Sequence, residues 1–365
     1  MKVRIVDPGA FRDALSFSGI AKGTMEILEC ALVEAENDTV TVTVSDLSMW
    51  LRAKVPAVVE EGGAVAVRAK ILEGFVRSID EPVVIETRGD KVVVSSGETE
   101  LKLSSYSAED FPPGIEAETV CTVTVQADAL RRALKKLLFI PTKDEFQPTK
   151  SSVYLHVVDE ELRAVATDGV RLGVVPVGKI CDARGTEGLF PKYVMQVLQR
   201  LLGMNVTSDV VIEFKPSLAV FSVGPFSLSS PVLGYAYPNY QQVFPEVVMG
   251  EVRVNRKQLA NALRLSVMTD GIVELSFNHD FLILNTEGDN MVVTDKIRCE
   301  VRGKAPRVAL KAKFLLEPLM VVDDDEVVMK LSGPLSPVML EAREYTYVLM
   351  PVRLPKEGKD NGRDL

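Results

Sequence analysis

Residues 128–139 (DALRRALKKLLF) carry the chain's sharpest amphipathic pattern. At 100° per residue Ala129, Leu130, Ala133, Leu134, Leu137 and Leu138 fall on one side of a helix, and Arg131, Arg132, Lys135 and Lys136 on the other. Asp128 stands where an N-cap belongs, its carboxylate able to accept from the free amides of the first turn. On an isolated helix such a basic side is first of all a solvated face. Here the pattern recurs. A short alternating strand leads into Leu130, Ala133 and Leu134, into Phe11, Ala14 and Leu15 near the N-terminus, and into Leu259, Ala262 and Leu263 near residue 250, with the same internal spacing each time. A second landmark follows each one, in 67–72 (VRAKIL), 190–195 (FPKYVM) and 310–315 (LKAKFL), where a helical run opens behind a strand. Alternating β-branched segments such as 39–44, 162–166, 218–223 and 326–331 predict strands between them.

The pattern predicts an α+β chain of three repeated units of about 120 residues, each with two helices and several strands, a normal domain size. Proline-bearing stretches at 109–114 and 238–245 place the boundaries. The expected domains are 1–119, 120–247 and 248–354, with a tail at 355–365 whose composition favours disorder.

Composition changes this picture in few places. With 365 residues, 47% of them hydrophobic, each unit can bury its own core without metals or cross-links. Cys30, Cys121, Cys181 and Cys299 lie far apart, as expected in a reducing compartment. No apolar run is long enough for a membrane helix and the first residues resemble no targeting segment, so a cytosolic location is expected. The net charge of −9 alone argues against a nucleic-acid partner, but its distribution argues the other way. The six expected helices, 11–22, 69–80, 128–139, 190–203, 255–266 and 311–320, hold fifteen Lys or Arg against five Asp or Glu. The first two contribute little, since Asp13, Glu73 and Asp80 offset most of Arg12, Lys22, Lys70 and Arg77.

Catalytic patterns are missing. His156 lies in a strand-like stretch and His279 in a polar turn, and the sequence has no nucleophile elbow, zinc-binding HExxH, Walker or dinucleotide fingerprint. The acidic run 323–326 lacks the spaced ligands of a calcium loop, and Asp168 in Thr-Asp-Gly is turn chemistry. No metal, cofactor or reaction is expected.

Taken together, 165–172 (VATDGVRL), 238–245 (PNYQQVFP) and 345–354 (YTYVLMPVRL), with 96–103 (SGETELKL), 108–112 (AEDFP) and 334–340 (PLSPVML), resemble the bacterial sliding clamps, the β subunits of DNA polymerase III. The resemblance covers residues 1–354 in order. It implies three similar units per chain, two chains head to tail in a closed ring, helices lining the hole and strands outside. Partners implied are double-stranded DNA held without base readout, the replicative polymerase, the clamp loader, other clamp-binding repair proteins and a second copy of the chain. Diffuse charge suits a ring that slides. It makes Arg131, Arg132, Lys135, Lys136, Lys192 and Arg200 candidates for a nonspecific DNA track, with Arg256, Lys257, Arg264, Lys311 and Lys313. Lys22 falls where the family often places a DNA-contacting arginine.

The resemblance also implies a hydrophobic peptide-docking cleft. Its residues would be Thr167, Gly169, Val170, Arg171 and Leu172 from the turn, Pro238 and Val243 from the connecting segment, and Val348, Met350, Pro351, Val352, Arg353 and Leu354 from the end. Several positions depart from the family. Val170 replaces a histidine, Val352 a methionine, and Lys150 a commonly apolar cleft residue. The first unit lacks the usual proline-rich loop, and the third has a shortened loop around residues 269–272. Relatives also tend to carry basic side chains where Glu98 and Glu100 stand. This leads to the expectation that Glu98 and Glu100 pair across the ring joint with Lys296 and Arg298, around an apolar centre of Leu101, Val267 and Met268. Two other classes compete with the clamp reading: an enzyme or small-molecule binder built on tandem repeats, and a clamp-like interaction scaffold that does not load on DNA.

Overall fold

The computed structural model describes residues 1–353 except 145, 181, 182, 184, 205–208, 269, 270, 289 and 290. Leu354, Cys181, Thr269 and the tail 355–365 therefore lie outside the described residues. Six α-helices occur among those described: α1 (Pro8–Leu15), α2 (Ala69–Arg77), α3 (Ala127–Leu137), α4 (Lys192–Leu202), α5 (Arg256–Met268) and α6 (Ala312–Val321). Five of them follow directly on a strand, and α1 comes two residues after one. The recurring triplets are their buried faces. Phe11, Leu15, Leu130, Ala133, Leu134, Leu259 and Leu263 are fully buried, and Ala14 and Ala262 nearly so. Each buried leucine contributes about 1.5–3 kcal/mol.

Helix ends differ from expectation by up to three residues in α2 to α6 and by more in α1. The first helix begins at Pro8, with Asp7 accepting from the Gly9 and Ala10 amides at 2.9 and 3.1 Å, and it ends at Leu15, where a short 3₁₀ turn, Ser18–Ile20, takes over. A proline at the first helical position loses only an amide that had no helical partner. Asp128 is not an N-cap. Helix α3 starts one residue earlier, and Asp128 instead pairs with Arg131 at 2.7 Å, one turn on.

By contacts the chain divides into two compact units, one formed by Met1–Arg131 with Lys179–Gly234, the other by Arg132–Gly178 with the chain from Tyr235 onward. Strand pairing accounts for the division. In the first unit Phe226–Pro231 pairs antiparallel with Trp50–Glu61, so strands of the middle third of the sequence extend the sheet of the first third. In the second unit Arg171–Lys179 pairs with Tyr345–Leu349, joining other middle strands to the last third. The sheet of the first unit ends at Thr99–Ser104, which pairs with Lys91–Ser96 alone among the described strands. In the second unit the strand Met291–Gly303 is shared lengthwise, its later half on Gly250–Asn255 and its earlier half on Phe281–Gly288. Among the described residues no helix is long and apolar enough to cross a membrane.

Candidate functional site: an apolar groove and exposed basic helices

The second unit carries a groove of about 810 Å³, a volume suited to a short peptide or small ligand. One wall is the Thr-Asp-Gly turn. Thr167 Oγ1 donates to the Arg171 carbonyl at 2.7 Å and accepts from the Gly169 amide at 3.0 Å. Asp168 Oδ1 accepts from the Val170 and Arg171 amides at 2.9 and 3.0 Å. Gly169, at φ +90°, closes the turn in a conformation that side chains rarely adopt. The Val170 carbonyl then accepts from the Met350 amide at 2.9 Å, so the turn and the end of the last strand form one rim.

The second wall is a 3₁₀ turn, Tyr240–Val243, capped by Asn239. Its Tyr240 ring is buried against Leu172, Val174 and Val348. The Tyr240 hydroxyl lies 2.9 Å from His156 Nε2, and His156 stacks on Tyr154, which stacks on Tyr237. His156 thus belongs to the aromatic support of the groove. Burial raises the pKa of the Tyr240 phenol.

Beneath the turn, Arg171 is held on every side. Its Nε donates to Asp168 Oδ2 at 2.9 Å, Nη1 to the Glu317 carboxylate and Nη2 to the Phe139 carbonyl at 3.2 Å. The guanidinium lies 4.2 Å from the Phe314 ring centre and 5.3 Å from that of Phe139. Only 6% of this side chain is exposed. Glu317 and Phe314 both belong to α6, so Arg171 ties the rim of the groove to that helix. Next to it Tyr347 donates to the Phe314 carbonyl at 2.8 Å, and burial pushes its phenol pKa up.

Of the residues expected in the cleft, Lys150, Thr167, Gly169, Val170, Arg171 and Leu172 line this groove, as do Pro238, Val243, Val348 and Met350. Pro351, Val352 and Arg353 do not. The Val352 amide turns away to the Ala309 carbonyl at 2.8 Å. The sequence reading missed Tyr240, Gln242, Phe244, Glu246 and Val247 on one side and Ser332, Ser336 and Pro337 on another. Tyr240, Gln242, Phe244, Ser336 and Pro337 sit in stretches singled out as motifs, so their signal was present without its assignment, whereas Glu246, Val247 and Ser332 lie just outside those stretches.

The basic residues divide into two kinds. Lys22, Lys257, Arg264, Lys311 and Lys313 are exposed. Lys135 is also exposed, 3.7 Å from Asp323, and Arg131 pairs with Asp128. Arg132 and Lys192 are half-buried. Three others are held by backbone carbonyls. Lys136 is buried and donates to the carbonyls of Arg343 and Glu344 at 3.0 and 3.4 Å, and burial lowers its pKa. Arg256 donates to the carbonyls of Asp324 and Leu319 at 2.6 and 2.9 Å, joining α5 to the end of α6. Arg200, though exposed, donates to the Ser16 carbonyl at 2.8 Å and covers the Phe17 ring.

At the sheet edge Glu98 lies in the turn before Thr99–Ser104. Glu100 pairs with Lys102 at 2.9 Å, and Leu101 is half-buried. Lys296 and Arg298 are exposed on the half of their strand that has one described neighbour, with Lys296 3.8 Å from the centre of the Phe281 ring. Val267 is half-buried and Met268 is 79% exposed at the end of α5. Cys30 is buried and Cys299 half-buried, and burial pushes both thiols up to about 11, as expected of packing residues. Among the described residues no group of three or more His, Cys, Asp or Glu is placed to hold a metal.

Comparison with known proteins resolves the family. The DNA polymerase III beta subunit N-terminal domain matches residues 20–115 and the C-terminal domain of the same subunit matches residues 241–353, together more than half the chain. The beta sliding clamp of Synechococcus elongatus is 27% identical over 336 residues, covering 88% of this chain and 90% of that protein. The clamp of Staphylococcus epidermidis is 21% identical over 350 residues, covering 90% and 93%. Among solved structures, a DNA polymerase sliding clamp from Pseudomonas aeruginosa superposes with a TM-score of 0.92 at 23% identity, over 97% of this chain and all of that one. The DNA polymerase III beta subunit of Thermotoga maritima gives 0.88 at 23% identity over the same shares. This α+β chain belongs to the DNA polymerase III beta subunit family, the sliding clamps, which are non-catalytic accessory subunits of a polymerase.

Proposed function

We propose that the chain is a polymerase processivity factor that works in the cytoplasm as a head-to-tail homodimer, closed into a ring around duplex DNA. Each chain contributes three clamp repeats, 1–119, 120–247 and 248–354. The groove tethers the replicative polymerase, and the clamp loader and other clamp-binding repair proteins use the same place. The observation that carries this reading is the threefold recurrence of a helix with a buried Phe/Leu-Ala-Leu face in a chain whose helices also present exposed basic side chains. Duplex DNA carries about one charge per 1.7 Å of axis, and lysines without fixed hydrogen-bond partners can follow it in any register.

The test is retention on a nicked circular plasmid after loader-assisted assembly, compared with the same plasmid cut open. Retention on the circle with loss from the linear form is expected of a topological link. Equal loss from both favours the non-loading scaffold. One observation speaks for that second reading. In the first helix pair Arg12 is bound to Asp80 and the Ile79 carbonyl and Arg77 to Glu73, so little free charge remains there.

For the ring joint, we propose that Glu98 and Glu100 of one copy meet Lys296 and Arg298 of the other, with Leu101 against Val267 and Met268. Exposed pairs contribute about 0–1 kcal/mol each, so they select the partner more than they hold it. Glu98→Lys with Glu100→Lys is expected to speed ring dissociation several-fold, and adding Lys296→Glu with Arg298→Glu to restore it. Subunit exchange rates unchanged in both variants would sink the pairing.

A further inference from the structure

We propose that the groove selects peptides carrying an acidic side chain at one defined position, received by the ammonium of Lys150. The inference rests on the groove being a peptide-docking site and names what it prefers.

Lys150 is fixed at its backbone. Its carbonyl accepts from the Thr142 amide at 2.8 Å and its amide donates to the Gln147 carbonyl at 2.8 Å. From there the side chain runs across the apex of the Thr-Asp-Gly turn. A Cβ placed on Gly169 would come within 3.1 Å of Lys150 Cε and 3.4 Å of Nζ, so the ammonium sits directly over the turn. Gly169 thereby has two reasons to lack a side chain: its positive φ and the lysine lying on it.

The two acids bound to Arg171 beneath the turn are already engaged. Asp168 gives one carboxylate oxygen to two amides and the other to Arg171, and Glu317 is also bound to Arg171. Lys150 forms no ion pair among the described residues, and its side chain is half-buried in a wall shared with Val170 and Leu172. Arg171, the other cation lining the groove, is already bound to two carboxylates. Glu246 also lines the groove, but it is exposed and belongs to the stretch after the 3₁₀ turn.

A docked peptide strips water from whatever it covers. An apolar or amide side chain over Lys150 would leave a charge desolvated without compensation, whereas a carboxylate there replaces the lost water with a charge-assisted hydrogen bond. A basic side chain at the same point adds like-charge repulsion, so the site discriminates against as well as for. The apolar floor supplies affinity and Lys150 supplies register.

The experiment uses acetylated, amidated hexapeptides with Leu and Phe as apolar anchors. One Asp, Asn or Lys is walked through the remaining positions, and binding to the full chain is read by fluorescence anisotropy. At one position Asp is expected to bind about tenfold tighter than Asn, a difference of about 1.4 kcal/mol, and Lys weaker than either. Lys150→Met keeps the aliphatic stem over Gly169 and is expected to abolish the preference while the Asn series still binds. Lys150→Glu is expected to turn it toward Lys. Equal affinity of the Asp and Asn series at every position, or a preference for Asp that persists in Lys150→Met, overturns the inference and leaves peptide docking standing. Failure of every peptide to bind the unmodified chain overturns the docking reading itself.

Discussion

Replacing Arg171 with alanine is expected to lower the unfolding free energy of the second unit by about 3–5 kcal/mol, measured by urea titration. The guanidinium serves two carboxylates, one backbone carbonyl and two aromatic faces, all within a site that is almost closed to water. Truncation removes the cation and leaves Asp168 and Glu317 partly buried with no countercharge, which costs far more than losing an exposed pair. Arg171→Lys is expected to fall between alanine and the native chain, because an ammonium keeps the charge but cannot span Asp168, Glu317 and Phe139 in one plane or stack on Phe314. Arg171→Met combined with Glu317→Leu should recover a large part of the loss. No unpaired acid then remains in α6, and Asp168 still accepts from two turn amides. A loss below about 1 kcal/mol for Arg171→Ala would show the network to be solvated and the tie between turn and helix to be weak. Peptide affinity should fall with stability, since the turn held by Arg171 is the rim of the groove.

This network marks the limit of what the sequence discloses. The turn itself was legible, because Thr-Asp-Gly between two strands has a local chemistry that needs no knowledge of the rest of the chain. Glu317 lies 146 residues away and reads in the sequence only as an acid on a helix. The same limit explains Lys136 and Arg256. Helical periodicity puts Lys136 on the polar side of its helix and Arg256 on the side of Leu259, Ala260 and Leu263, and neither placement says what the head of the side chain meets. Their heads reach carbonyls of Arg343, Glu344, Leu319 and Asp324, and such acceptors leave no trace in a pattern of side chains. The buried triplets were legible because a helix face that must meet a core repeats its spacing wherever it recurs. The sharing of the middle third between two units was not, because antiparallel pairing of Phe226–Pro231 with Trp50–Glu61 depends on which edges meet, and strand alternation is the same for any partner. Most of the cleft positions entered by family resemblance, and Val348 would otherwise have passed for a strand residue of the core, which it also is.

The two kinds of basic residue are expected to separate in their salt dependence. Replacing Lys257, Arg264, Lys311 and Lys313 together by alanine should flatten the plot of log affinity against log salt for a duplex by roughly 3 to 4 per chain, since each phosphate contact contributes about 0.9 to the slope. At fixed low salt the same variant should lose about a hundredfold or more in affinity, because four ion contacts vanish together. Folding should be nearly unaffected, these side chains being exposed. Lys136→Ala should do the opposite. Its ammonium bonds two carbonyls from a buried position, so its loss is expected to cost about 1.5–3 kcal/mol of stability while the salt slope stays where it was. A reduced slope in Lys136→Ala would mean that the helix moves to free this lysine when DNA binds. An unchanged slope in the fourfold variant would mean that the exposed cations of α5, of α6 and of the strand end before α6 do not meet the phosphates. The charge excess on the helices would then serve another anionic surface. Four exposed cations and one buried one, indistinguishable along the helix, therefore predict opposite pairs of measurements.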